Sequence, residues 1–348
     1  MDGLDLALCQ FREVGGRRWE GEILRAATRP YSSFWRRKLR YALLLSGREL
    51  MHLHAEFGHF LGQEVQAFLQ NPDPEEPEPF LVASHGHTIF HEPERSFTFQ
   101  LGSGAHLSAT IGKPVVCDFR SGDVALGGQG APLVPAGEMA LFPEYRAFLN
   151  LGGFANVSLR PENDTLVAWD VCGANYILNA LARRLGLEFD AHGALAAQGR
   201  LLPHLDESLE KWPYYFKPPP KSLGAEQAEE ILSQWLPPET DVRDLLHTWC
   251  QHIARRISAD LGPYARKAPL HVLVTGGGAL NSFLMNKIRQ EGEKNNLIFE
   301  VPEQRILEFK EAYIFAYLGL LRWLQRPNAL ASVTGARRDS VQGALYMP

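Results

Sequence analysis

From Arg48 to Gln70 the apolar residues Leu50, Leu53, Phe57, Leu61, Val65 and Phe68 recur at helical spacing, which predicts an amphipathic helix with one buried stripe. Before it, Leu4 to Phe11 reads as an apolar strand. After it, the Pro and Glu run from Pro72 to Pro79 cannot continue a helix and reads as a solvated connector. Phe80 to Ala83 then predicts a buried strand leading to His85. Beyond Arg146 the pattern renews, with strands at 147–151, 157–160 and 166–171 and helices from Asn175 to about Leu185 and across 241–262. A strand at 270–275, a helix at 282–290, a strand at 297–301 and a long helix from Leu307 to Leu324 complete it. No short-period solenoid repeat interrupts this alternation. The strand-rich start of each half predicts two similar α/β domains, over 1–146 and 147–348, facing across a cleft.

Size supports that division, because 348 residues, 45% of them hydrophobic and 22% charged, bury a large core and exceed the length at which one core usually divides. The net charge of −5 gives no reason to expect nucleic acid, and the basic cluster Arg36, Arg37, Lys38 and Arg40 reads as a solvated helix face. No apolar run approaches the roughly 18 residues of a membrane span, and the start has no signal-peptide pattern. Cys9, Cys117, Cys172 and Cys250 are scattered without CxxC spacing, as in the reduced thiols of a cytoplasmic protein.

Candidate chemistry gathers in three glycine-bearing segments. In the first, Val115, Val116 and Cys117 form a short buried strand, with Asp118 and Arg120 at its carboxyl end, where open α/β sheets place ligands. Gly127, Gly128 and Gly130 follow, able to bring backbone close to a bound molecule, with Asp123 and Gln129 as polar handles; a plain surface loop is the alternative. The second, Asn150 to Asn156, is a hairpin with Gly152 and Gly153 at its tip, a turn whose N–H groups can cradle phosphate. The third runs from His271 through Gly276, Gly277 and Gly278 to Asn281, a strand, glycine turn and helix start suited to nucleotide or anion binding. Asp170, after the apolar residues 166–169 and before Asn175, is either a helix cap or a base.

HGHT at 85–88, DFRSGDVALGGQGAPLVP at 118–135, NLGGFANVS at 150–158, VTGGGALN at 274–281 and SVTGA at 332–336 together resemble the anhydro-N-acetylmuramic acid kinases, over essentially the whole chain. That family lies in the superfamily of acetate and sugar kinases, Hsp70 and actin. The resemblance implies an α/β fold of two actin-like (ribonuclease H-like) domains flanking a central cleft. It also implies a cytoplasmic enzyme of peptidoglycan recycling that uses ATP and Mg²⁺ to convert 1,6-anhydro-N-acetylmuramic acid to N-acetylmuramic acid 6-phosphate, and a homodimer.

Carried onto this sequence, the resemblance makes Asp170 the base that activates water. It assigns His85, His87, Thr88, Asp118, Arg120 and Gln129 to the sugar, and Asp2, Gly3, Asp5, Gly152, Gly153, Asn156, Gly276, Gly277, Gly278 and Asn281 to ATP. Arg120 suits the lactyl carboxylate of the sugar, and an internal pair with Asp118 or Asp123 is the alternative. The family has Asp-Thr-Gly-Pro-Gly-Asn where this chain has Asp170 to Asn175, and more often Gln at His87. Although His85, His87 and His91 are close in sequence, no cysteine or carboxylate partner indicates metal there. His52, His54 and His59 fall in a predicted helix and are assigned no catalytic role, and Lys221 reads as a solvated lysine, with approach to a phosphate as the alternative. Met1 is followed at once by Asp2, Gly3, Leu4 and Asp5, whereas the family begins with a strand and a Gly-x-Met-Ser-Gly-Thr-Ser turn; the expectation is a start set too far downstream or a shortened, non-catalytic relative.

Overall fold

The computed structural model describes residues 3–15, 18–161, 165–219 and 221–348. Two compact units emerge, Met1–Pro143 with Phe309–Pro348, and Glu144–Glu308.

In the first unit, β1 (Gly3–Gly15) pairs antiparallel with β2 (Arg18–Pro30), and α1 (Ser33–Tyr41) and α2 (Gly47–Leu69) follow. Ser46 and Glu49 close a capping box on α2, satisfying amides of its first turn, and all six residues of the expected apolar stripe are buried. In α1, Arg36, Arg37 and Arg40 are exposed, as expected of a solvated face. A short β3 (Val82–Ala83) replaces the expected strand at 80–83, and β4 (His87–Glu92) pairs antiparallel with β5 (Phe97–Leu101). Then come α3 (Gly104–Ile111), β6 (Val115–Cys117), α4 (Ser121–Ala125) and α5 (Val134–Leu141).

The second unit is one five-stranded sheet with its helices. Antiparallel β7 (Ala147–Leu151), β8 (Phe154–Leu159) and β9 (Val167–Gly173) are followed by α6 (Asn175–Arg183), α7 (Pro203–Leu209), α8 (Ala225–Gln234) and α9 (Val242–Leu261). Next, β10 (Leu270–Thr275) lies parallel to β7, and α10 (Ser282–Glu293) carries the chain to β11 (Leu297–Glu300), parallel to β10. The spatial order is β11-β10-β7-β8-β9. Strands β7 and β10 are buried almost continuously, as a sheet covered on both faces requires, by Ile177 and Leu181 of α6, Trp249, Ile253 and Ile257 of α9, and Leu284 and Ile288 of α10.

The expected second domain at 147–348 needs correction. Helix α11 (Gln304–Trp323) sets Ile314, Phe315, Leu318 and Leu321 into a core with Trp19, Val116, Phe119 and Leu133 of the first unit. After α12 (Ala331–Thr334), β12 (Ala344–Tyr346) pairs antiparallel with β6, giving a β12-β6-β3 sheet. Apolar periodicity located α11 but could not say which core it serves.

Among the described residues no helix is long and apolar enough to cross a membrane. Cys117, Cys172 and Cys250 are buried free thiols, and Cys9 is free and partly buried.

Candidate active site

In the first unit, β6 ends at Cys117, and the next residue, Asp118, has a left-handed φ of 53° that turns the chain out of the strand. Its Oδ1 accepts from the Ser121 N–H at 3.2 Å, and buried Phe119 anchors the turn. Arg120 makes neither of the internal carboxylate pairs that sequence left open. Its Nε and one terminal nitrogen donate to His85 Nε2 at 3.0 and 2.7 Å, and the other terminal nitrogen to the Gly130 carbonyl at 2.6 Å. A guanidinium has five N–H groups, so one on each terminal nitrogen remains for a planar anion. His85 can accept because its Nδ1 sits 3.0 Å from the Gly86 carbonyl, to which it donates. Burial, then the Arg120 charge, push its pKa down to about 4, so it stays neutral. The exposed carboxylate of Glu311 on α11 counters the burial that lowers the Arg120 pKa.

The glycine loop after Asp123 closes on its own carboxylate. Asp123 is fully buried, its Oδ2 accepting from Gly130 N–H at 2.8 Å and its Oδ1 from Thr334 Oγ1 at 2.8 Å. A Cβ on Gly128 would collide with Asp123 Oδ2, so glycine is needed there to close the loop on its own carboxylate. Gln129 donates its backbone N–H to the Thr334 carbonyl at 2.7 Å and is exposed. Thus the motifs at 118–135 and 332–336 meet each other.

A cavity of about 130 Å³ lies beside this turn, lined by His54, His85, Gln100, Asp118, Ser121 and Tyr346 among others. It is smaller than the roughly 300 Å³ needed to enclose a small ligand, so it suits one arm of a larger one. Gln100 Oε1 is buried there without a hydrogen-bond partner, while its Nε2 donates to Thr98 at 2.8 Å. His87 and Thr88 lie instead on β4, opposite Leu101 and Gln100, and do not line this cavity; Thr88 is exposed. His54, dismissed from sequence, accepts from Gly102 N–H at 3.1 Å and does line it. Its spacing from Phe57 and Leu61 was the available signal, since i, i+3 and i+7 share one helix face.

Two of the proposed nucleotide residues sit on β1. A Cβ at Gly3 would lie 2.7 Å from the Arg29 carbonyl of β2, and Asp5 accepts from Thr28 Oγ1 at 2.5 Å, so their contacts are with the neighbouring strand. Asp2 lies outside the described residues.

In the second unit, the glycine turns come together at the carboxyl ends of adjacent parallel strands β7 and β10. Gly276 has φ of 85°, and a Cβ there would sit 2.7 Å from Asn150 Oδ1; one at Gly278 would sit 2.7 Å from Leu151 Cβ. Gly153 faces open space, with nothing within 4 Å of the point a Cβ would occupy, and a Cβ at Gly277 would meet only Asn175 Nδ2 at 4.0 Å. The carbonyls of Gly152 and Gly153 accept from the amides of Asn175 (3.1 Å), Ala174 (2.8 Å) and Tyr176 (3.0 Å), fastening the hairpin to the start of α6. Asn281 caps α10, its Oδ1 accepting from Leu284 N–H at 3.0 Å, a structural task. Thr275 Oγ1, at the end of β10, is buried without a partner.

Asp170 does not cap α6, whose N-cap is Ala174, and β9 continues past it to Gly173. It pairs with Asn156 beside a bulge at Val171 of β9. Its Oδ2 accepts from Leu223 N–H at 2.8 Å, its N–H donates to the Lys221 carbonyl at 2.9 Å, and its carbonyl accepts from Tyr214 OH at 2.7 Å. Lys221 is buried rather than solvated, 3.6 Å from Asp260. Burial raises the Asp170 pKa, and the Leu223 bond offsets part of the rise. A firmly held carboxylate with one oxygen unengaged and raised basicity is equipped to take a proton.

A strand order of three antiparallel strands followed by two parallel ones, with glycine turns at the carboxyl strand ends, defines a unit of the actin-like class. The chain's architecture is mixed α/β. The profile of the family Anhydro-N-acetylmuramic acid kinase matches residues 1–348, and the chain belongs to that family. A relative named anhydro-N-acetylmuramic acid kinase from Synechococcus sp. (strain CC9902) is 32% identical over 100% of this chain and 97% of its own length. One of the same name from Bordetella pertussis is 39% identical over 76% of this chain and 72% of its own. Among solved structures, the activator of 2-hydroxyisocaproyl-CoA dehydratase from Clostridium difficile, with bound ADPNP, shares 18% identity over 52% of this chain and 62% of that one, with a TM-score of 0.34.

Proposed function

We propose that this chain hydrolyses the 1,6-anhydro bond of 1,6-anhydro-N-acetylmuramic acid and phosphorylates the released O6, giving N-acetylmuramic acid 6-phosphate and ADP. Family membership supports the reaction, and the observation that carries it into this chain is Asp170, fixed through Oδ2 and uncommitted at Oδ1. Asp170 takes a proton from water, whose oxygen bonds to the anomeric carbon as the C1–O6 bond breaks toward O6. ATP, entering with Mg²⁺ on its phosphates, supplies the phosphoryl group that ends on O6 where an ordinary glycosidase would place a proton.

The residues fit a nucleotide. Gly153 and Gly277 leave backbone open at the ends of β7 and β10, and the orphaned Thr275 hydroxyl lies at the same strand end. For the sugar, the remaining Arg120 donors suit the lactyl carboxylate, while Asp118 and Gln100 offer acceptors to its hydroxyl and amide N–H groups. The enzyme would work in the cytoplasm in peptidoglycan recycling, as a homodimer by family expectation, with no nucleic-acid or membrane partner. A non-catalytic relative is disfavoured, because such a protein has no use for a raised, half-open carboxylate. Incubation with the anhydro sugar and ATP in H₂¹⁸O, read by mass spectrometry, tests the scheme. Label should enter at C1 and not in the phosphate; label in inorganic phosphate with intact sugar would mean simple ATP hydrolysis.

A further inference from the structure

Helix α7 and the start of its exit place Asp206 and Glu210 one turn apart, facing His252 on α9. Asp206 is 1% and His252 0% exposed, and Asp206 Oδ1, Glu210 Oε1 and His252 Nδ1 all lack a hydrogen-bond partner. These donor groups lie within 4.8 Å of one another. His252 Nδ1 and Glu210 Oε1 approach to 3.1 Å without hydrogen-bond alignment. Metal bonds of about 2.0–2.1 Å at tetrahedral angles set neighbouring donors roughly 3.3 Å apart, so this spacing is that of two ligands of one ion.

The outer atoms of the same side chains are all engaged. Asp206 Oδ2 accepts from Arg255, Glu210 Oε2 from Arg256 at 3.0 Å, and His252 Nε2 meets Tyr215 OH at 2.7 Å. In the tautomer whose Nε2–H donates to that tyrosine oxygen, the Nδ1 lone pair faces a carboxylate and a cation between them satisfies both; in the other, Tyr215 donates to Nε2 and Nδ1–H faces Glu210. Outer-atom hydrogen bonds of this kind are how protein metal sites fix ligand orientation. We infer that Asp206, Glu210 and His252 hold a divalent transition-metal ion such as zinc, which accepts imidazole and carboxylate ligands, with water completing a four-coordinate shell. Magnesium and calcium are disfavoured by the imidazole. The site is separate from the glycine turns, and through consecutive residues Tyr214 and Tyr215 it steadies the segment that bonds to the Asp170 carbonyl.

The competing arrangement is a proton on Nδ1, making a His252–Glu210 ion pair, with Arg255, Arg256 and Asp260 as the other charges on α9 packed around it. The test uses full-length protein without an oligohistidine tag, stripped with chelator and titrated with zinc chloride alone. One equivalent should bind, with melting temperature rising with the logarithm of free zinc, and both responses should fall at least tenfold in affinity in Glu210→Gln and His252→Asn. Cobalt(II) added instead should give visible absorption of a four-coordinate site. No bound zinc in wild-type protein, or equal binding in the two variants, overturns the inference. Should either variant fold poorly, the wild-type stoichiometry and cobalt spectrum still decide it, since a protonated pair gives neither.

Discussion

Asp170→Asn separates catalysis from stability because the structure gives its two oxygens different tasks. The amide oxygen of asparagine can still accept from the Leu223 N–H that now reaches Oδ2 at 2.8 Å, so the segment 221–223 stays in place. What disappears is the proton acceptor. Losing a positioned base slows a reaction by about 10² to 10⁴, or roughly 3 to 5 kcal/mol of transition-state stabilisation. Stability should move the other way. Burial raises the Asp170 pKa, meaning that at neutral pH the ionised carboxylate opposes folding, and a neutral amide removes that penalty. Asp170→Ala should be equally inactive but less stable, because it leaves the Leu223 amide without its acceptor, a loss of about 1 to 3 kcal/mol. Coupled ADP release with the anhydro sugar measures the first effect and differential scanning calorimetry the second. Turnover in the asparagine variant within threefold of wild type refutes the base assignment, and a melting temperature well below wild type refutes the account of the two oxygens.

Other expectations follow from the same geometry. The acid limb of kcat/KM should lie above the ordinary carboxylate pKa of 3.8, since Asp170 must be ionised and burial raises its pKa; a limb at or below 3.8 contradicts this. His85 is protonated near pH 6.5 when unfolded but only near about 4 when folded, so its contribution to stability is present above 6.5 and is lost as pH falls toward 4. That gap corresponds to roughly 3 kcal/mol, and urea midpoints of His85→Gln should vary less over this range than those of wild type. Arg120→Ala should raise KM for the lactyl-bearing sugar by about tenfold or more and little for an analogue lacking the carboxylate, whereas equal losses would make Arg120 purely a partner of His85 and Gly130. Gly276→Ala combines a left-handed φ of 85° with crowding against Asn150 and Leu151, and isothermal titration should show severely weakened ATP binding; unchanged affinity would remove this turn from the nucleotide site.

Sequence made the second unit largely legible. Its strands at 147–151 and 270–275 are observed at those bounds, because both are buried almost continuously and glycine punctuates their ends. The first unit was harder. β4, β5 and α3 are short, and β12 adds to β6 from the far end of the chain, a pairing no local period encodes. At the site, motifs located Asp118, Arg120 and Asp170 but not their partners. Nothing local links Arg120 to His85, or Asp123 to Thr334, so a loop built around its own buried aspartate read as a loop open to ligand. Gln100 was missed because it sits within a strand whose alternation explains it without chemistry.

The first unit is interrupted in sequence, since the core holding Trp19, Val116 and Phe119 is completed by Ile314, Phe315 and Leu318. On the ribosome those partners are made last. The contiguous segment Glu144–Glu308 therefore has everything its core requires while the core around Trp19, Val116 and Phe119 still waits for α11, so that part of the first unit matures after the middle. A stop codon or frameshift near residue 309 would thus do its damage at the opposite end of the polypeptide, leaving a folded middle beside an amino-terminal unit whose Trp19, Val116 and Phe119 are uncovered.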